Sequence, residues 1–437
     1  MTSAFIKLVI PAKAGIQFSF VVALLSVFLT AGAADDKDKK PVPPPTKRTQ
    51  ALRPETFKKL EAVQKSFDAK DYKGALAGLD SIKAGFDKLN DYEKATLYNL
   101  YAAVYYSQNN IGKAIEAYQA VLGQNALAEG MRNATLYALA QMYFIQENYD
   151  KAVATLKSWF AVAGEDQPDG HVLLAQIYYQ QQNYKASEKS VLNALRIAKA
   201  RQQQPKENWL ALLRAVYYEL KEYAKSAQVL EILIAYYPDK GTYWSQLAGM
   251  YGLLERQKDQ IKVLHVAYSN NLLSSEGDLL NLTRLYMLEE TPYPAVLVLK
   301  QGFKAKTIKE TPANLQLYAQ ALALAKEYEM QIPVLEQLAK ETRESKHYVY
   351  LGQALGELQR WKDAADSFKA ALNAKEVHKP ATIRMQLGTA LFNAGRLSEA
   401  RDVFAVAAES EELARQATNW IRFVDSEIQK KQALRAG

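Results

Sequence analysis

One pattern recurs along most of this 437-residue chain and restricts its fold more than any other feature. A helix-forming stretch ends in an aromatic or long apolar residue, a short polar turn follows, and then comes Tyr-x-x-Ala-x-x-x-apolar. Such a unit contains two antiparallel helices, and it cannot bury its apolar faces without a neighbouring unit. The clearest copies are KDYKGALAGLD (70–80), NNIGKAIEAYQ (109–119), ENYDKAVATLK (147–157), RWKDAADSFKA (360–370) and GRLSEARDVFA (395–405).

The small residue after each turn sets the period of the pattern, because it lets the second helix approach the first closely. It recurs at a mean spacing of about 36 residues, which predicts ten units. Gln260 and Gln331 break the rule, and Ala186 competes with Ser187 for its position. The aligned residues are Ala75, Ala114, Ala152, Ser187, Ser226, Gln260, Ala295, Gln331, Ala364 and Ala400.

This pattern resembles the tetratricopeptide repeat family over residues 53–410. The resemblance implies an all-α fold, a right-handed superhelical solenoid of about ten helix–turn–helix repeats. The following segment, 411–437, has Leu413, Ala417, Trp420 and Val424 on one side of a helix. It is therefore predicted to be a capping helix and tail that cover the last repeat.

The N-terminus carries a pattern typical of export. Lys7 and Lys13 precede the apolar run IQFSFVVALLSVFLT, and the small residues Ala31-Gly32-Ala33 follow it. Residues 1–33 are therefore predicted to be a secretory signal peptide cut after Ala33. The alternative, an uncleaved inner-membrane anchor, stays open because the run just reaches spanning length. Residues 34–52 read as a charged and proline-rich linker.

A narrower resemblance comes from the order and wording of several segments. A signal and a spacer precede KRTQALRPETFKKLEAVQ, KLNDYEKATLYNLYAAVYY, PKENWLALLRAVYYELKEY and TYWSQLAGMYG. This order resembles the periplasmic tetratricopeptide proteins associated with TonB–ExbB–ExbD energy-transduction systems. The resemblance implies a periplasmic accessory of outer-membrane transport, with TonB, ExbB or ExbD components as partners and peripheral association with the membrane.

Composition argues against an enzyme, a cofactor or a metal centre. Cysteine is absent, the four histidines lie far apart, and no phosphate-binding loop, Gly-x-Ser-x-Gly or His-Glu-x-x-His motif is present. His171 stands where a repeat places a packing residue, so a structural role is favoured. The net charge of +8 comes without a basic block interleaved with aromatic residues, and this argues against nucleic-acid binding.

One set of residues is a candidate binding site. The residue after the last core position of the first helix is aromatic in each of the first five repeats. The amides of Gln141 and Gln176 stand three residues earlier in two of them, and Tyr137 is expected to face the same groove. Aromatic rings suit proline and aliphatic side chains, and glutamines can bond an extended backbone. The predicted partner-binding groove contains Phe67, Tyr106, Tyr137, Gln141, Phe144, Gln176, Tyr179 and Tyr218.

Two alternatives remain at this point. The same rings could pad contacts between neighbouring first helices without binding anything. A protein with an aromatic row in this compartment could also be a glycan- or peptidoglycan-associated module, or an envelope assembly scaffold. The leading hypothesis is a periplasmic protein–protein interaction scaffold that holds an extended partner segment in the groove.

Overall fold

A computed structural model describes residues 51–436, and all regular structure there is helical. It contains 21 α-helices and one short 3₁₀ turn, Phe86–Lys88, with no strand among these residues. Consecutive helices pair, so the predicted all-α fold of tetratricopeptide helix pairs is confirmed. The predicted signal peptide and almost all of the predicted linker lie outside the described residues.

The chain divides between Leu233 and Ile234 into two compact units. The helix α10, Tyr223–Tyr236, crosses this division. The first unit also contains α1 Pro54–Asp68, α2 Tyr72–Lys83, α3 Asp91–Ser107, α4 Ile111–Leu122, α5 Glu129–Ile145, α6 Tyr149–Ala163, α7 Pro168–Gln180, α8 Tyr184–Ala200 and α9 Glu207–Glu219. The second contains α11 Gly241–Leu253, α12 Gln257–Ser269, α13 Glu276–Leu288, α14 Pro292–Lys304, α15 Pro312–Leu324, α16 Tyr328–Thr342, α17 Ser345–Glu357, α18 Trp361–Leu372, α19 Pro380–Asn393, α20 Leu397–Ala407 and α21 Ala414–Ala436.

The same turn joins the two helices of every pair. One residue adopts the left-handed conformation, and the next backbone N–H donates to the carbonyl five residues earlier, as Asn110 does to Tyr105 at 2.8 Å. This bond satisfies a carbonyl that the end of the first helix would leave free. The left-handed residues are Lys70, Asn109, Glu147, Gln182, Lys221, Glu255, Glu290, Lys326, Gln359 and Gly395.

The small residues after these turns lie where the paired helices touch. All eight alanines and serines in the alignment are fully buried. Ser187, rather than the half-buried Ala186, takes this place, and its hydroxyl donates to the Ala175 carbonyl at 2.7 Å. Gln331 is also buried, and its side-chain N–H donates to the Ala319 carbonyl at 3.0 Å. A larger polar residue is therefore accommodated by a hydrogen bond to the facing helix.

The other irregular position is accommodated differently. Gln260 is half-buried, and it faces Gly252 on α11. A Cβ at Gly252 would lie 3.1 Å from the Gln260 amide nitrogen. The glycine and the glutamine therefore fit as a pair, because the missing side chain leaves room for the longer one.

The helix α21 packs against the last helix pair of the second unit. The Trp420 ring stacks on Phe404 with 5.2 Å between centroids and 15° between planes. Ala417 and Val424 are fully buried, and Arg401 Nε donates to Asp425 at 2.7 Å. One side of α21 therefore covers apolar surface of α19 and α20 that would otherwise face water.

Candidate functional site

Five of the predicted groove residues occupy one position of the repeat. Each is the penultimate residue of a first helix, and all five belong to the first unit. We call them the aromatic ladder. Its members are Phe67, Tyr106, Phe144, Tyr179 and Tyr218.

Most ladder rings contact a ring of their own repeat. The residue five positions later is the first residue of the second helix, and the left-handed turn brings the two side chains together. The centroid distance is 6.0 Å for Phe67–Tyr72 and 5.5 Å for Tyr179–Tyr184. Phe144–Tyr149 and Tyr218–Tyr223 lie at 6.2 and 5.9 Å. The second repeat has Ile111 at the partner position, so an aliphatic side chain stands five residues after Tyr106.

The ladder rings differ in how much surface they leave to a ligand. Phe144 is buried, with 8% of its surface exposed, whereas the other four are half-buried. The i, i+5 pairing was not part of the sequence prediction. The signal for it was present, because tyrosine opens the second helix in the first, third, fourth and fifth repeats.

Tyr179 also reaches the next repeat. Its hydroxyl donates to Glu219 Oε1 at 3.4 Å. Burial raises the pKa of Tyr179 to about 12, and the negative charge of Glu219 adds to this effect. The phenol therefore remains a hydrogen-bond donor across the physiological pH range.

Tyr137 is held more firmly than the ladder. Its ring lies 4.9 Å from that of Trp159, and its hydroxyl donates to the Asp169 carbonyl at 3.4 Å. Burial raises its pKa above the ordinary range. Trp159 belongs to the third repeat and Asp169 to the fourth. Tyr137 therefore serves packing between these two repeats in addition to any role toward a ligand.

The two predicted amides stand one helical turn before ladder residues. Gln141 precedes Phe144 by three positions, and Gln176 precedes Tyr179 by three, so each pair shares a helix face. Both glutamines are half-buried, and neither side chain has a hydrogen-bond partner within residues 51–436. Two amides with free donors and acceptors therefore lie next to aromatic surface.

A polar hollow lies at the turn of the third repeat. It has a volume of about 530 Å³, and it is bordered by the ladder partner Tyr149. Gln181 of the next repeat donates to Asp150 at 3.2 Å across its edge. The hollow is open and shallow, so it could accept polar groups of a bound chain without enclosing a small molecule. Its lining residues are Gln146, Glu147, Asn148, Tyr149, Asp150 and Gln181.

The described residues contain no group of three or more metal-ligating side chains. His171 is buried, its Nε2 lies 2.8 Å from the Glu165 carbonyl oxygen, and its ring lies 4.7 Å from that of Phe160. These contacts agree with the structural role expected for this histidine. No helix within residues 51–436 has both the length and the apolarity needed to span a membrane.

Comparison with known proteins finds the helix-pair repeat in parts of this chain. The tetratricopeptide repeat family matches residues 102–165, 137–205 and 350–416. This match shows tetratricopeptide repeats in these segments, and all ten helix pairs of the described residues share the same left-handed turn. Repeats of this kind serve mainly as scaffolds for protein–protein interaction. No curated protein matches the sequence.

Several solved structures are similar to this chain. A tetratricopeptide repeat protein from Parabacteroides merdae is 13% identical, with 61% of this chain and 98% of that chain covered and a TM-score of 0.38. The MamA protein is 17% identical over 40% of this chain and 91% of its own, with a TM-score of 0.35. The C-terminal part of a repeat-containing protein from Cytophaga hutchinsonii is 12% identical over 59% and 98%, with a TM-score of 0.35.

Proposed function

We propose that this protein is an exported scaffold that holds an extended, proline-rich partner segment along the aromatic ladder of its first unit. The observation that carries the proposal is the repetition of half-buried rings at one helix position, with unbonded amides one turn away. The rings offer flat apolar surface to proline, and Gln141 and Gln176 offer donors and acceptors to its backbone.

The spacing of the ladder supports this class of ligand. Packed helices lie about 8–10 Å apart, so equivalent positions of successive first helices are displaced by a similar distance. A polyproline II segment presents the same edge every three residues, at about 9 Å. One ring per repeat can therefore contact every third residue of the ligand.

The groove is tested with the full chain and a fluorescently labelled 18-residue proline-rich peptide. We expect replacement of Tyr106, Tyr179 and Tyr218 by alanine to weaken binding at least tenfold in fluorescence anisotropy, while the helical circular dichroism persists. Tyr293→Ala is the matched control, because this tyrosine is 51% exposed and lies in the second unit. Equal affinity of the ladder variant and the control would show that the rings only pack.

The cellular setting of the proposal is the periplasm, with a TonB-type transport complex as the client. Its support is the export pattern of residues 1–33 and the resemblance in segment order described above. Fractionation is expected to place the protein in the periplasm, and affinity purification from that fraction is expected to recover TonB, ExbB or ExbD components. Recovery of cell-wall polymer in their place would favour the glycan-associated alternative.

A further inference from the structure

Three leucines of the second unit are exposed at the ends of three successive first helices. Leu253 ends α11, Leu288 ends α13 and Leu324 ends α15. Their exposed fractions are 49%, 67% and 58%. We call these three residues the leucine stripe.

The three leucines of the stripe occupy the same position of three consecutive repeats. Each leucine stands seven positions before the aligned residue of its second helix, which is Gln260, Ala295 or Gln331. Isolated exposed leucines are common on soluble proteins, but repetition at one position of consecutive repeats is a pattern. Other first helices end in polar residues or, in one case, in a half-buried isoleucine: Asp68, Ser107, Ile145, Gln180, Glu219, Glu357 and Asn393.

The stripe begins where the ladder position loses its rings. The residues before the three leucines are Gly252, Met287 and Ala323, none of which is aromatic. Apolar surface in the sixth to eighth repeats is therefore supplied one position later than in the first five. The surface is also aliphatic, so it differs in kind from the ladder.

Acidic residues follow the central leucine of the stripe. Glu289 and Glu290 directly follow Leu288, both are exposed, and no basic residue lies in that turn. Neither forms an ion pair within the described part of the chain, whereas the adjoining turns hold one acidic and one basic residue each, Glu255 with Arg256 and Glu327 with Lys326. A partner that covers these leucines would therefore gain from basic groups beside its apolar ones.

We propose that the leucine stripe docks a basic amphipathic α-helix of a partner protein. Apolar residues at seven-residue intervals lie about 10.5 Å apart along a helix. This is close to the distance of about 8–10 Å between packed helices, which sets the scale of the spacing between repeats. An extended strand fits less well, because residues on one of its faces are only about 6.6 Å apart. Lysines or arginines flanking the central apolar residue would face Glu289 and Glu290.

The test uses the full chain and a labelled 22-residue synthetic helix with leucine at seven-residue intervals and lysine beside the central leucine. We expect binding in fluorescence anisotropy, at least tenfold weaker binding after replacement of Leu253, Leu288 and Leu324 by glutamine, and a loss of salt dependence for Glu289→Lys combined with Glu290→Lys. Leu192→Gln is the matched control, because Leu192 is 41% exposed in the first unit.

Two further measurements make the outcome decisive. A peptide of the same composition with its leucines out of register is expected to bind at least tenfold more weakly than the matched peptide. The proline-rich peptide is expected to bind the stripe variant as it binds the wild type, so failure here is separate from failure of the ladder. Absence of binding by the matched peptide, or equal binding by the stripe variant, would overturn the proposal.

Discussion

The charged side chain of Glu93, near the start of the first unit, is fully buried. Arg53 approaches it with Nε at 3.0 Å and Nη2 at 2.5 Å, and the Arg53 backbone N–H donates to the same carboxylate at 3.0 Å. The Asn90 backbone N–H adds a further bond at 3.0 Å. Burial alone would raise the pKa of Glu93, but these donors outweigh it and lower the pKa to about 2.

The folded-state pKa of Glu93 lies below the unfolded value. Its contribution to the free energy of unfolding is therefore present above about pH 4.5 and is lost as the pH falls toward 2. We expect the first unit to lose stability toward acid across this window. Glu93→Gln should remove that part of the pH dependence and cost about 2 kcal/mol at neutral pH, less than a fully buried pair because Arg53 is half exposed. Urea unfolding at several pH values measures both effects, and an unchanged acid profile in the variant would contradict the assignment.

The left-handed turn residues store strain in nine of the ten repeats, since only Gly395 is a glycine. Gln182 has φ 58°, a conformation that side chains disfavour. Gln182→Gly is expected to raise stability by about 0.5–1 kcal/mol. Gln181→Gly is the control, because φ is −74° there and the substitution should only destabilise. Thermal unfolding compares the two, and equal shifts would show that the turn carries no such strain.

Within a helix pair, a small side chain on one helix can leave space for a large side chain on the other. Gly388 on α19 faces the buried Phe404 of α20, and a Cβ there would lie 2.5 Å from the ring. Gly352 stands in the same relation to Phe368, at 2.7 Å. In these two pairs the phenylalanine of the second helix occupies the space that a Cβ on the first would need, because an interior of crystal-like density has no spare volume.

Gly388→Ala is therefore expected to destabilise the second unit by about 2 kcal/mol, because Phe404 has no space into which to move. Gly249→Ala is the matched change in the same unit. No heavy atom lies within 4 Å of its Cβ position, so the alanine should stabilise α11 by about 1 kcal/mol. Denaturant midpoints distinguish them, and shifts of the same sign would refute the packing argument.

At the level of the whole chain, each unit is a succession of helix pairs that contact mainly their neighbours. The second unit ends on α21, whose Trp420 contacts Phe404, Phe392 and Phe423. In such arrays stability is close to a sum of repeat and interface contributions, so a terminal helix protects the pairs nearest to it.

Trp420→Ala is expected to cost about 2 kcal/mol, below the usual range for tryptophan because the side chain is only half-buried. Hydrogen exchange should increase in α19 and α20, whereas the first unit should keep its protection. Arg422→Ala, at an exposed position of the same helix, should change neither the free energy of unfolding nor the hydrogen exchange of α19 and α20. Uniform loss of protection in both units would mean that the chain does not respond repeat by repeat.

The sequence by itself determined the helix pairs, their period and most of the residues at their contacts, because helical faces and turn residues follow a local spacing. It did not distinguish Ser187 from Ala186, since both are small, and only packing against Ala175 decided between them. The partners of the ladder rings and the exposure of Leu253, Leu288 and Leu324 were also decided by the tertiary structure. These properties depend on where a turn directs a side chain and on which neighbouring helix lies there, and the local spacing of residues contains neither.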